Sequence, residues 1–226
     1  MNKTHTLIIS DLHLGSKVSR AQTLSKFLKN FEFKKLILLG DVFESLNFNT
    51  LNKNDWELLM YFSELAKKRK VRWIVGNHDK GLTDFFSSLT NIKIYNQYVW
   101  NYAGIKYLAI HGHQFDSFLI HNPVLGIMAN KIYKFIQMID FADKRISRFI
   151  KQKSKGWLKV SNQVAEGAML YGKVKGADVV FCGHTHKSMQ IIKKNIQYYN
   201  SGCWTDIPST YITVDKLNIQ IHKYYN

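Results

Sequence analysis

The stretch Leu36-Ile37-Leu38-Leu39-Gly40-Asp41 decides how the rest of the chain is read. Four consecutive branched apolar residues form a buried strand, and the glycine lets the backbone turn sharply, so a carboxylate stands at the strand's carboxyl end. Open α/β sheets place their chemistry there. Two apolar runs nearby stop at a similar polar loop: Leu7-Ile8-Ile9-Ser10 before Asp11-Leu12-His13, and Val71-Arg72-Trp73-Ile74-Val75 before Gly76-Asn77-His78-Asp79. Two more follow later, Tyr107-Leu108-Ala109-Ile110 before His111-Gly112-His113 and Val179-Val180-Phe181-Cys182 before Gly183-His184-Thr185-His186. If these strands lie side by side, all five loops meet on one rim.

Between the strands the period changes. Arg20 to Asn30 sets Leu24, Phe27 and Leu28 at helical spacing, which completes a βαβ unit with the Asp41 strand. Asn52 to Arg69 predicts a second helix with Trp56, Leu59, Met60, Phe62 and Leu65 as its buried stripe. Its basic end, Lys67-Lys68-Arg69-Lys70, reads as compensation of the helix dipole in preference to a binding patch. A short helix is expected over 81–89, and two or three strands over 92–110 with Asn101-Tyr102-Ala103-Gly104 as a hairpin turn. Residues 115–156 alternate Ile, Phe, Met and Tyr with Lys and Arg on a helical period, so they read as a helical insertion between two of the loops. Trp157 to Lys175 resumes as a core helix, and closing strands follow to Tyr224.

With 226 residues, 46% of them hydrophobic, the chain is long enough to bury a core as one domain, 1–226. The net charge of +16 makes polyanions its expected neighbours: nucleic acid, phosphorylated substrates or acidic lipid. Cys182 and Cys203 are too few for a disulfide framework and read as reduced thiols of a cytoplasmic protein. Met1 to Thr6 is polar and leads straight into the first strand, which argues against a signal peptide, and no apolar run is long enough to span a bilayer.

Six of the nine histidines, His13, His78, His111, His113, His184 and His186, fall in the five strand-end loops beside Asp11, Asp41, Asn77 and Asp79. A single histidine is usually a satisfied core or surface residue. This joint placement points instead to metal. A nitrogen and oxygen shell without thiolate suits manganese, iron or zinc better than copper(I) or calcium. The candidate ligands outnumber what one ion can use, whereas two ions sharing one carboxylate would use them all.

In this order, Asp11-x-His13, Gly40-Asp41, Gly76-Asn77-His78-Asp79, His111 and Gly183-His184-x-His186 resemble the signature of the calcineurin-like metallophosphoesterases. The resemblance covers nearly the whole chain. It implies an α/β fold, a four-layer αββα sandwich of two mixed sheets with the helical insertion, and a dinuclear site at the rim. Position by position it implies Asp11, His13, Asp41 and His186 on one divalent ion. Asp41, Asn77, His111 and His184 would hold the other, with Asp41 as the bridge. Mn2+ is the first expectation, with Fe2+ or Zn2+ as the others. His78 corresponds to the family's substrate-facing histidine and Asp79 to its orienter. The implied reaction is in-line attack on phosphorus by a metal-bridging hydroxide, with His78 donating to a phosphoryl or leaving oxygen.

Two further stretches, His111-Gly112-His113-Gln114-Phe115-Asp116 and Tyr199-Asn200-Ser201-Gly202-Cys203-Trp204-Thr205-Asp206, are similar to the UDP-2,3-diacylglucosamine hydrolase family and its relatives. Those enzymes cleave a pyrophosphate in lipid A synthesis. His78 stands where the best-known lipid A branch carries arginine, and Cys203 where relatives often carry aspartate. The implied substrate is a lipid-linked nucleotide, with Asn77, His78, His113 and Asp116 as candidate contacts. For His113 and Asp116 an ordinary surface position is the competing reading. The cationic face of the insertion suits an anionic membrane and its apolar face suits an acyl chain, or else packing on the domain body. Two alternatives stand beside this: a phosphodiesterase or nuclease gripping a phosphate backbone, and a metal-binding scaffold without activity.

Overall fold

The computed structural model describes residues 2–81, 83–116, 155–216 and 218–226. Two sheets form its centre. The first runs in the order β11-β10-β1-β2-β3-β4, from β1 (Asn2–Ile9), β2 (Phe31–Leu39), β3 (Lys70–Ile74), β4 (Lys93–Tyr95), β10 (Ser209–Asp215) and β11 (Asn218–Tyr224). Strands β1 to β4 are parallel, and β10 and β11 close the edge antiparallel. The second sheet runs β5-β6-β7-β9-β8, from β5 (Gln97–Tyr102), β6 (Ile105–Ile110), β7 (Val179–Cys182), β8 (Met189–Lys193) and β9 (Ile196–Asn200). Here β6, β7 and β9 are parallel, flanked by antiparallel β5 and β8.

Continuous apolar strands require both faces to be covered, and three apolar layers do so. Odd and even residues of one strand go to different layers. Leu7, Ile9, Leu36 and Leu38 face α1 (Ala21–Lys29), α2 (Lys53–Lys68) and α3 (Thr83–Thr90), while Ile8, Ile37, Leu39 and Ile74 meet Tyr107, Ala109, Val179 and Phe181 of the second sheet. On the far side, Leu108, Ile110 and Val180 pack against Ala165, Ala168 and Met169 of α4 (Lys155–Val174). The layering is αββα. Each fully buried Leu, Ile or Phe in these layers contributes about 1.5–3 kcal/mol.

The two-residue turn between β5 and β6 is Ala103-Gly104, both left-handed at φ 53° and 80°, as a tight hairpin requires. Helix α2 differs from the expected stripe. Leu58, Leu59, Phe62 and Leu65 are buried, but Trp56 is 41% and Met60 59% exposed. The phase is set by a buried carboxylate that apolar periodicity does not detect. Asp55 accepts from Gly15 N, Ser19 Oγ and the Asn52 N–H, and Asn52 caps the helix in return. Of the helical insertion expected over 115–156, residues 117–154 lie outside the described residues.

Candidate metal centre

The five loops divide between the sheets. Those carrying Asp11, Asp41 and Asn77 leave the carboxyl ends of the adjacent strands β1, β2 and β3, and those carrying His111 and His184 leave the ends of β6 and β7. They interlock through backbone hydrogen bonds. Asp11 N donates to Gly40 O, Leu12 N and His13 N to Asp41 O, and Gly183 N to His111 O, at 2.9–3.1 Å.

Close approach of these loops explains the glycines. A Cβ on Gly40 would run into the His111 imidazole, and one on Gly76 into the Asp41 carboxylate. The loops also hold side chains in an uncommon backbone state. Asp11, His13, Asp41, His184 and His186 all have φ between 48° and 67°, a left-handed region that non-glycine residues rarely occupy. Such strain persists where surrounding structure enforces it, and it clusters at functional sites.

Three groups of ligand-type atoms result, each within 4.8 Å: Asp11, His13 and His186; Asp41, His111 and His184; and His13, Glu44 and His78. Asp11 Oδ1 lies 3.1 Å from His186 Nε2, and Asp41 Oδ2 lies 3.2 Å from His111 Nε2. The Nε2 atoms of His13 and His186 face each other at 3.1 Å. The remaining carboxylate oxygens are tied back to the chain. Asp11 Oδ2 accepts from Ser10 Oγ and from His184 N at 3.1 Å, and Asp41 Oδ1 accepts from His78 N at 3.0 Å.

Imidazole orientation is set from behind. His111 Nδ1 donates to Leu39 O at 2.8 Å and His78 Nδ1 to Glu44 O at 2.7 Å, which turns both Nε2 atoms inward. Buried Asn77 Oδ1 has no hydrogen-bond partner. Such an orphan costs roughly 1–3 kcal/mol, and coordination to a cation satisfies an acceptor of this kind. The donor set, carboxylate, amide oxygen and imidazole, matches a borderline or hard divalent ion.

Electrostatics describes the same site from another side. Burial pushes the Asp11 carboxyl up, but the His186 ring beside it prevails and holds it below its ordinary value. For Asp41, burial is likewise outweighed, by the charge and hydrogen bond of His111, and the carboxyl lies well below the usual range. His111 is buried, yet Asp41 raises it to about 10. Burial, then the charge of His186, lowers His13 to about 3, and burial with His111 lowers His113 to about 3. One imidazolium thus serves as counter-charge in the very place where a metal would displace its proton.

The structure brings Asp11, His13, Asp41, Asn77, His111, His184 and His186 into this rim, together with His78. Asp79 sits differently from the expected orienter of His78. Its oxygens accept from Phe43 N, Gly76 N and Trp73 Nε1 at 3.0–3.2 Å, so it fastens the Asp41 loop to the Asn77 loop, while Glu44 O holds the His78 ring. Burial and the nearby Asp41 charge raise the Asp79 carboxyl. Asp116 is buried, and its Oδ2 lies 3.0 Å from His184 Nε2. The half-buried ring of His113 lies 5.5 Å from that of His111.

Glu44, whose carboxylate stands 3.0 Å from His13 Nδ1, escaped the sequence reading. Its only signal is its place three residues after Asp41. The stretch after β9 acts as a buttress: Asn200 Nδ2 donates to Gly183 O at 2.6 Å, and Ser201 Oγ meets Ser10 Oγ at 2.7 Å. Trp204 is core, packed on Phe27 and Tyr224. Both cysteines are buried free thiols. Among the described residues no helix is long and apolar enough to cross a membrane.

Comparison with known proteins agrees with this geometry. No curated protein sequence matches the chain. Among solved structures it is similar to an archaeal phosphodiesterase, at 14% identity and a TM-score of 0.53, over 96% of this chain and 98% of that one. It is also similar to YfcE, a phosphoesterase from E. coli, at 18% identity and a TM-score of 0.51, over 93% and 87%. A third similar structure is a single-site variant of Vps29 from Entamoeba histolytica, at 14% and 0.51, over 96% and 90%. At these identities the likeness concerns the fold. The calcineurin-like phosphoesterase family profile matches residues 4–188, most of the chain, and with the dinuclear-type ligand groups on the rim it identifies the protein as a member of that family, a metal-dependent phosphoesterase.

Proposed function

We propose that the rim holds two divalent ions and hydrolyses a phosphodiester or pyrophosphate. Asp11, His13 and His186 would hold one ion and Asn77, His111 and His184 the other, with Asp41 available to both. The observation that carries this is the pair of ligand groups, Asp11/His13/His186 and Asp41/His111/His184, with the orphaned Asn77 oxygen beside the second. When bound, such ions neutralise phosphoryl charge and bring a water's proton loss near neutral pH.

The chain's own residues do the rest. Ser10 and the His184 N–H hold one Asp11 oxygen, and the His78 N–H holds one Asp41 oxygen, so each carboxylate keeps its second oxygen for the centre. His78, fixed through Nδ1 on Glu44 O, presents Nε2 4.0 Å from Asp41 Oδ2. Protonated there, it donates to a phosphoryl or leaving oxygen. Asp116 acts on His184, and His113 lies within reach of a bound substrate.

The substrate is a lipid-linked nucleotide of the UDP-2,3-diacylglucosamine type, cleaved at its pyrophosphate, with manganese as the working metal. Support comes from the resemblance of 111–116 and 199–206 to that hydrolase family and from the sequence pattern of the insertion, whose apolar residues suit acyl chains and whose lysines and arginines suit an anionic membrane. The test is hydrolysis of UDP-2,3-diacylglucosamine with manganese, read as UMP release. Turnover of bis-p-nitrophenyl phosphate without UMP release keeps the phosphoesterase and removes the lipid substrate. The net charge of +16 favours a second reading, a phosphodiesterase acting on nucleic acid. Salt-sensitive cleavage of DNA in the same assay would select it.

A further inference from the structure

At the opposite end of the same strands the chain builds a second charged site. A groove of about 550 Å³ opens there, lined by Lys34, Lys35, Lys67, Lys68, Arg69 and Lys70, with no carboxylate among its lining residues. The sheet register assembles it. Lys35 on β2 is the direct neighbour of Lys70 on β3, and Lys67 to Arg69 close α2 just before β3. His5 of β1 and Tyr102 at the β5–β6 hairpin form the wall, their rings stacked at 3.8 Å and 9°. The basic run after α2 therefore does more than compensate a helix dipole, because Lys34 and Lys35 join it from another strand.

We propose that this groove binds a compact polyphosphate anion, such as a nucleoside triphosphate or a short inorganic phosphate chain, at a site separate from the metal centre. Asp41 lies six residue steps beyond Lys35 along β2 and its loop, about 20 Å at roughly 3.3 Å per step, so one small ligand does not touch both. The volume suits a ligand of nucleotide size. Lys35 is sunk to 7% exposure, with Nζ over the Trp100 ring at 4.9 Å, where a flat bilayer surface does not reach. Burial, then the charges of Lys70 and Arg72, pulls its ammonium down to about 8. Cations crowded in this way are relieved by several negative charges concentrated in one place. A longer nucleic acid strand calls for a track of charge, whereas these six line a single groove.

The test uses the full-length, manganese-loaded protein at about 150 mM salt. Calorimetry measures binding of inorganic tripolyphosphate and of α,β-methylene-ATP. The triple variant Lys34→Ala, Lys67→Ala, Lys70→Ala is expected to lose one binding event by roughly tenfold or more, because charge supplies most of the affinity for phosphate. Its hydrolysis of bis-p-nitrophenyl phosphate should stay at the native rate, which also reports an intact fold. Arginine at the same three positions should restore binding. A preference for the nucleotide that His5→Ala abolishes assigns the wall to a base, and equal binding assigns the site to a phosphate chain alone. Native binding of both anions by the alanine variant, or failure of arginine to restore it, overturns the proposal. So does a groove that takes up only single-stranded DNA or phosphatidylglycerol vesicles and neither small anion.

Discussion

Strands β1, β2 and β3 end in one chemistry and begin in another. At their carboxyl ends Asp11 and Asp41, both at positive φ in loops bonded to each other, meet imidazoles from the second sheet, and the Asn77 loop leaves the next strand. Toward their amino ends Lys35 and Lys70 stand together as neighbours in register, with Lys34 next to Lys35 in the chain, none of them at positive φ and no carboxylate among the groove's lining residues. The first region costs conformational energy to build and fixes each donor atom. The second is built by ordinary strand pairing and fixes only charge. Geometry-dependent chemistry belongs at the rim, and geometry-tolerant anion binding at the opposite end.

Removing Asp41, the acid proposed to serve both ions, breaks the contrast most severely. Asp41→Ala is expected to lower kcat/KM on bis-p-nitrophenyl phosphate by roughly a thousandfold, about 4 kcal/mol, and to lose bound metal measured by mass spectrometry. Native turnover by this variant in chelator-treated buffer would sink the dinuclear scheme. His78→Ala separates rate from metal. Its ring, anchored on Glu44 O, is assigned to proton donation, so activity should fall by about two to three orders of magnitude while metal content stays native. Loss of both together would make His78 a ligand.

The rim's main elements were legible because apolar runs stopping at Asp, Asn or His are a local signal. That the rim is built from two sheets followed only from the family resemblance, since alternation along one strand says nothing about its partner. Glu44 was missed because it acts through the Asp41 loop's geometry and belongs to no spacing pattern, and the exposure of Trp56 and Met60 because Asp55 fixes the phase of α2. The basic groove needed the Lys35–Lys70 register, a long-range pairing that the run Lys67-Lys68-Arg69-Lys70 does not reveal by itself.

Two glycines sharpen the difference between enforced and free strain. Gly40 and Gly104 have nearly the same φ, 85° and 80°, but a Cβ on Gly40 meets His111 whereas one on Gly104 meets nothing within 4 Å. Gly104→Ala should therefore cost about 1 kcal/mol of stability in urea unfolding and leave turnover native. Gly40→Ala adds a collision to that backbone term. It should cost about 3 kcal/mol and displace His111, with metal affinity falling as well. Equal effects of the two substitutions would show that the close loop contacts at the rim carry no special weight.

The smallest expected effect lies in the groove and has a definite sign. Lys35 titrates near 8 in the fold, against 10.5 for a free lysine, because burial and the neighbouring cations disfavour its charge. Below pH 8 both folded and unfolded chains carry the proton, and the fold bears the full cost of holding it. Between about 8 and 10.5 the unfolded chain binds the proton and the folded chain does not, so this residue's contribution to stability rises with pH. Lys35→Met removes the charge and keeps a flexible apolar chain against Trp100, at the expense of a cation–π contact of roughly 0.5–1 kcal/mol. After allowance for solvent screening, the variant should gain about 1 kcal/mol over the native protein at pH 7, and that advantage should shrink as the pH approaches 10. Urea unfolding of both proteins at the two pH values measures it. A variant less stable at pH 7, or a difference that does not change with pH, would mean that the ammonium is accommodated without strain, and the crowding of cations that sets this end of the strands apart from the rim would lose its energetic basis.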